Sequence, residues 1–91
     1  MIMLKFENLA KVGDVIRGYD FESSKDYFIE GKVVAKDWVI RDGMKLYKAY
    51  HIEIARDGLN EDASGKRVGD IGYIPMESMF DYDGRIEVIN E

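Results

Sequence analysis

The chain is 91 residues long, one domain near the lower limit of what builds its own hydrophobic core; folding at this size buries only about 60–65% of the unfolded chain's surface. A hydrophobic content of 46%, with six Tyr, four Phe and one Trp, excludes a disordered chain. With 13 basic against 18 acidic residues the net charge is −5, which argues against a general duplex-DNA binder and leaves room only for a local basic groove or pore.

The opening MIMLKFE is apolar for four residues and then runs into charge, which fits neither a signal peptide nor a membrane span, so cytoplasmic residence is the expectation. Leu4, Phe6, Leu9 and Ala10 are spaced for a short helix or 3₁₀ turn that covers one end of the fold, with Gly13 as its stop. Strands are expected over Val12–Phe21, Tyr27–Arg41, Met44–Asp57, Val68–Met76 and Arg85–Ile89. Turn signals punctuate them at Asp42-Gly43, Asp57-Gly58, Ser64-Gly65 and Asp83-Gly84. The polar stretch from Leu59 to Arg67 reads as an exposed loop, and Pro75, which has no N–H, should end the pairing of the fourth strand. Five strands in so short a chain predict a mostly β single domain over residues 1–91, folded as a strongly bent antiparallel small barrel that removes most sheet edges.

A two-residue Asp42-Gly43 turn of type I′ places Arg41 opposite Met44 and so fixes a register. One face then receives Val39 with Leu46, Ala35 with Tyr50, Val33 with Ile52 and Gly31 with Ile54, an apolar ladder interrupted by Asp37 opposite Lys48. The other receives Trp38 with Tyr47, Val34 with His51 and Lys32 with Glu53. Gly31 is expected to mark a bend.

Little in the chain points to catalysis. His51 is the only histidine, no Ser-centred nucleophile signature accompanies it, and its mid-strand position reads as a half-buried surface residue. The acidic pairs Glu61-Asp62 and Asp81, Asp83 match no metal-binding spacing, and the absence of cysteine excludes disulfides, thiolate zinc sites and thiol nucleophiles. The glycines of KRVGDIGYI precede no helix and so form no phosphate cradle. A non-enzymatic binding or assembly module, without cofactor or metal, is the expectation.

Gly31-Lys-Val33-Val-Ala-Lys-Asp37, followed three residues later by Ile40, resembles the first half of the Sm and Sm-like motif, G-x-hydrophobic-x-x-x-D-x-x-M-N. The upstream VGDVIRGYDF fits that family's first strand, and KVGDVIRGYDF is similar to small proteins of the kind cyanophage genomes encode. The resemblance implies a five-stranded barrel capped by an N-terminal helix, joined through its fourth and fifth strands into a homo-oligomeric ring with RNA bound near the pore. By motif position, Asp37 matches the family aspartate, Val39 falls where an aromatic or histidine stacks on a base, and Arg41 replaces the asparagine that reads it. The second family motif, hydrophobic-Ile-Arg-Gly, is replaced by IGYIPMESM.

Two functional expectations follow. One is a ring that binds RNA, or scaffolds RNA-associated proteins, through Asp37, Val39 and Arg41. The other is a protein-binding adaptor or inhibitor, of phage origin, that uses an acidic surface and the Trp38, Tyr47 pair without touching nucleic acid. Neither expects a membrane or duplex DNA as partner.

Overall fold

The Asp42-Gly43 pair turns the chain as its residues demand, with both at positive φ, 52° and 77°, the signature of a type I′ hairpin. The computed structural model describes residues 4–21, 23–58, 68–77 and 81–89, and the expected loop over 59–67 lies outside them. Five strands are formed: β1 (Val15–Phe21), β2 (Ser24–Arg41), β3 (Met44–Asp57), β4 (Ile71–Pro75) and β5 (Ile86–Val88). All pair antiparallel in one sheet of order β4-β3-β2-β1-β5, so the chain is mostly β as its turn spacing predicts.

Alternation builds the core. Ile16 of β1, Val33 of β2, Tyr50, Ile52 and Ile54 of β3, Ile74 of β4 and Ile86 of β5 all bury on the inner face of the bent sheet, with Met76 among them. Each such side chain contributes about 1.5–3 kcal/mol by leaving water. Gly31, at a register shift of β2, lets β3 approach closely: a Cβ built there would overlap the Glu53 carbonyl oxygen.

The expected closed barrel is not formed. β4 pairs only with β3 and β5 only with β1, which leaves them as the two edges. At the corner where those edges approach, side-chain bonds stand in place of a ladder. The buried Arg85 guanidinium donates to Asp81 Oδ1 at 2.7 Å and to the Pro75 carbonyl at 2.5 Å. Pro75 does end β4, and β5 has only three residues, so neither edge is long enough to zip. A crevice of about 100 Å³ between Gly18, Ile74 and Arg85 remains at this seam, too small for a nucleotide.

The expected N-terminal helix is also absent among the described residues. Residues 5–9 instead form turns, closed by the Glu7 N–H donating to the Leu4 carbonyl at 3.2 Å and the Leu9 N–H to that of Phe6 at 3.4 Å. Tertiary partners take the backbone groups that a helix would use. The Phe6 N–H donates to the Met76 carbonyl at 2.9 Å, the Tyr50 hydroxyl donates to the Phe6 carbonyl, and the Ala10 N–H donates to that hydroxyl at 3.2 Å. The covering role survives: Phe6 and Ala10 are buried in the core and Leu4 packs against it.

Candidate nucleic-acid interface on the hairpin arm

β1 flanks β2 only up to Lys32, and β4 flanks β3 only from Ala49 onward. Residues 36–48 are therefore a two-stranded ribbon that leaves the sheet without a third strand on either side. Isolated hairpins of this kind are marginal in water, and this one exposes Trp38, Ile40, Met44 and Leu46 at 38%, 60%, 66% and 47%. Its charge also stands apart. Lys36, Arg41, Lys45 and Lys48 against Asp37 and Asp42 make the arm +2, so the remainder of a chain of net −5 carries −7.

The register decides which side chains share a face. From the turn, Arg41 opposes Met44 and Ile40 opposes Lys45 as expected, but β3 then inserts one extra residue at Leu46, so that Val39 opposes Tyr47 and Trp38 opposes Lys48. A compensating extra residue at Val34 of β2 restores the original register at Val33–Ile52, Lys32–Glu53 and Gly31–Ile54. Between these two bulges the expected pairs Trp38–Tyr47, Asp37–Lys48, Ala35–Tyr50 and Val34–His51 are each displaced by one residue, and next to the turn Leu46, the bulged residue, does not face Val39. Cross-strand partners lie on one side of the sheet, so Trp38 and Tyr47 fall on opposite faces.

One face presents Lys36, Trp38, Ile40, Lys45 and Lys48, and it continues the face that carries Tyr50 into the core. The Lys45 ammonium lies 5.6 Å from the Trp38 ring centroid and that of Lys36 lies 5.7 Å from the Tyr50 ring. Lys48 does not meet Asp37; its Nζ is 2.9 Å from Glu7 Oε1 of the N-terminal turn. At the root of this face an open groove of about 340 Å³ runs between Lys36 and the N-terminal segment, lined by Asn8, Leu9, Lys11 and Asp14.

The opposite face gathers Asp37, Val39, Arg41 and Tyr47. The three positions carried over from the Sm-like motif thus do share a surface, but Trp38 is not on it. Asp37 Oδ1 accepts the Trp38 backbone N–H at 2.7 Å, and the Asp37 carbonyl lies 3.1 Å from His51 Nε2, which must therefore carry the proton. His51 also meets Tyr73 edge-on at 4.9 Å, so the only histidine is a half-buried sheet residue.

One polar cluster elsewhere is internally satisfied. On the outer face, Arg17 Nε and Nη2 reach Glu30 Oε1 at 2.7 and 2.6 Å and the guanidinium stacks 4.3 Å from the Phe28 centroid. Burial opposes the Arg17 charge, but the bonds to Tyr19 and Glu30 and the Glu30 charge outweigh it and raise its pKa. Among the described residues no buried side-chain nitrogen or oxygen lacks a partner, and no three His, Asp or Glu side chains converge on a metal position. No described helix is long and apolar enough to cross a membrane.

The residue pattern does not single out Lys36 and Lys45, and it assigns Lys48 to Asp37 on the other face. Alternation along β2 places Lys36 beside Trp38, but the Leu46 bulge, which brings both Lys45 and Lys48 to the same face, has no marker in the residue pattern. A comparison with protein families, curated proteins and solved structures finds no match.

Proposed function

We propose that the protein is a non-enzymatic, cytoplasmic binding module of Sm-like plan that associates with copies of itself edge to edge and binds RNA. The observation that carries the proposal is the arm: a basic, aromatic ribbon on an otherwise acidic body has the charge that phosphate selects and a ring on which a base can stack. The strand order supports the assembly half. With β4 and β5 at opposite edges, the edge of one copy can pair with the other edge of the next, a head-to-tail contact that closes into a ring. Asp37, Val39 and Arg41 belong to the proposal as a second contact face on the same arm.

The test is the solution mass with and without an RNA pool, joined to a gel-shift assay at low salt. A mass that is a multiple of 10.5 kDa, with an RNA shift that weakens as salt is added, supports the reading. A monomer with no shift at low salt removes it.

The exposure of Ile40, Met44 and Leu46 favours a second reading, an adaptor whose arm docks on another protein. Under that reading Met44→Ser abolishes capture of the partner and leaves the protein without affinity for RNA.

A further inference from the structure

We infer that the Lys36, Trp38, Lys45 face of the arm is a stacking site for single-stranded RNA, in which one base lies on the Trp38 indole and the phosphates on either side are held by Lys36 and Lys45. The inference rests on the RNA-binding reading above and assigns it to the face opposite Asp37, Val39 and Arg41. Charge selects the occupant: this face carries three lysines and no carboxylate from its own strands, whereas the rest of the molecule is acidic and repels a polyanion. Geometry selects the strand state. Lys36 lies two residues from Trp38 along β2, about 6–7 Å, and Lys45 reaches over the ring from β3, so cations flank an aromatic at the scale of a single nucleotide. A base inside a duplex has its face covered by its neighbours and cannot use such a ring.

Two features of the free protein acquire roles in this site. The Lys45 ammonium, 5.6 Å from the indole centroid, occupies the place of the base; an exposed contact of this type is weak and is exchanged when the ammonium swings to a phosphate. Glu7, bound to Lys48 at 2.9 Å, is a carboxylate from the N-terminal turn that neutralises a third cation of the face. It acts as a competitor for the phosphate that Lys48 would otherwise hold.

Trp38 is the only tryptophan, so its emission reports this site and no other. The experiment titrates the full chain at low salt with an oligouridylate of about 10 nucleotides and with an RNA duplex of equal length, following emission and, separately, retention on a filter. Expected are quenching by the single strand, weak binding of the duplex, and about 5- to 150-fold weaker retention for Trp38→Ala, most of it restored by Trp38→Phe with an unchanged far-UV spectrum. The slope of log affinity against log salt becomes shallower by about 0.7 in Lys45→Ala and steeper by about 0.7 in Glu7→Gln. Retention of RNA with no emission change and an unaffected Trp38→Ala overturns the site while the RNA-binding reading stands, and equal affinity for the duplex also overturns it. Emission that shifts with protein concentration alone, and not with RNA, assigns the face to a second copy and overturns it. No retention of any RNA at low salt removes both.

Discussion

Tyr50 is the residue through which the N-terminal turns and the sheet hold each other. Its ring is fully buried in the core, and its hydroxyl donates to the Phe6 carbonyl, with that of Glu7 also at 3.1 Å, while accepting the Ala10 N–H. Tyr50→Phe keeps the ring and strands those backbone groups, so a loss of about 1–3 kcal/mol is expected in urea denaturation with the sheet spectrum retained. Burial raises the Tyr50 pKa, against weaker opposition from backbone hydrogen bonds. A raised acid stays protonated in the fold after the unfolded chain has begun to ionise. The stabilising difference is therefore complete below about pH 10 and declines as pH rises through the folded value. The gap in urea midpoint between wild type and Tyr50→Phe should accordingly narrow from pH 9 to pH 11. Gly31→Ala is the harsher change, because the added methyl would meet the Glu53 main chain rather than a side chain that can rotate. About 3 kcal/mol or more is expected, a large part of the about 5–13 kcal/mol available to a chain of this size, and the thermal midpoint should fall accordingly.

At the scale of elements, the β2–β3 hairpin is held by a turn that demands positive φ at both positions. Gly43→Ala places a methyl at φ 77° and should cost about 1–2 kcal/mol, read as a lower thermal midpoint with Trp38 emission shifted if the arm frays. That turn was legible because Asp-Gly flanked by alternating residues has few other solutions, and the strand spans were legible because β-branched and aromatic runs stop at such dipeptides. At Gly31 the sequence expects a bend, and the structure shows a register shift and a close approach of β3 that only a residue without Cβ permits. The bulges at Leu46 and Val34 were not legible: each shifts the ladder by one residue without changing the residues themselves, and the second cancels the first. For that reason the turn-fixed register holds next to the turn and again from Val33 to Gly31, and fails between them, where the candidate site lies, and beyond Gly31, where Glu30 opposes Arg56. Alternation along β2 keeps Asp37, Val39 and Arg41 on one surface, but the Val34 bulge turns that surface away from the Val33–Ile52 ladder to which alternation alone assigns Asp37 and Val39. Lys36 and Lys45 share the Trp38 face in the bulge-free register as well, whereas Lys48 joins it only through the Leu46 bulge. The missing barrel closure and helix have a different cause, namely long-range partners such as Arg85 to Pro75 and Tyr50 to Phe6 that no local window contains.

For the whole molecule, the proposed assembly turns on which backbone groups the edge strands offer. The Tyr19 N–H donates to the Arg85 carbonyl and the Ile89 N–H to that of Val15, so odd-numbered residues of β5 face β1 and the N–H groups of Ile86 and Val88 point to the outer edge. On β4 the Ile54 N–H donates to Asp70 and the Met76 N–H to Lys48, which turns Ile71, Tyr73 and Pro75 outward and explains why a proline is tolerated there. Each interface between copies would then contain only a few ladder bonds, each worth about 0.5–1.5 kcal/mol net, supplemented by the exposed Ile71 and Tyr73 side chains. One such contact is weak and a closed ring of them is not, so association should be steeply concentration-dependent. Val88→Pro removes an outward donor while leaving both bonds to β1 in place, so it separates edge pairing from folding. If β5 pairs with β4 of a neighbour, this variant sediments at 10.5 kDa at concentrations where the wild type is a multiple of that mass, with its far-UV spectrum unchanged. An unaltered oligomer would place the contact elsewhere, and because the arm lies away from β5, RNA retention by the Val88→Pro monomer would then measure how much of the affinity belongs to one subunit and how much to the ring.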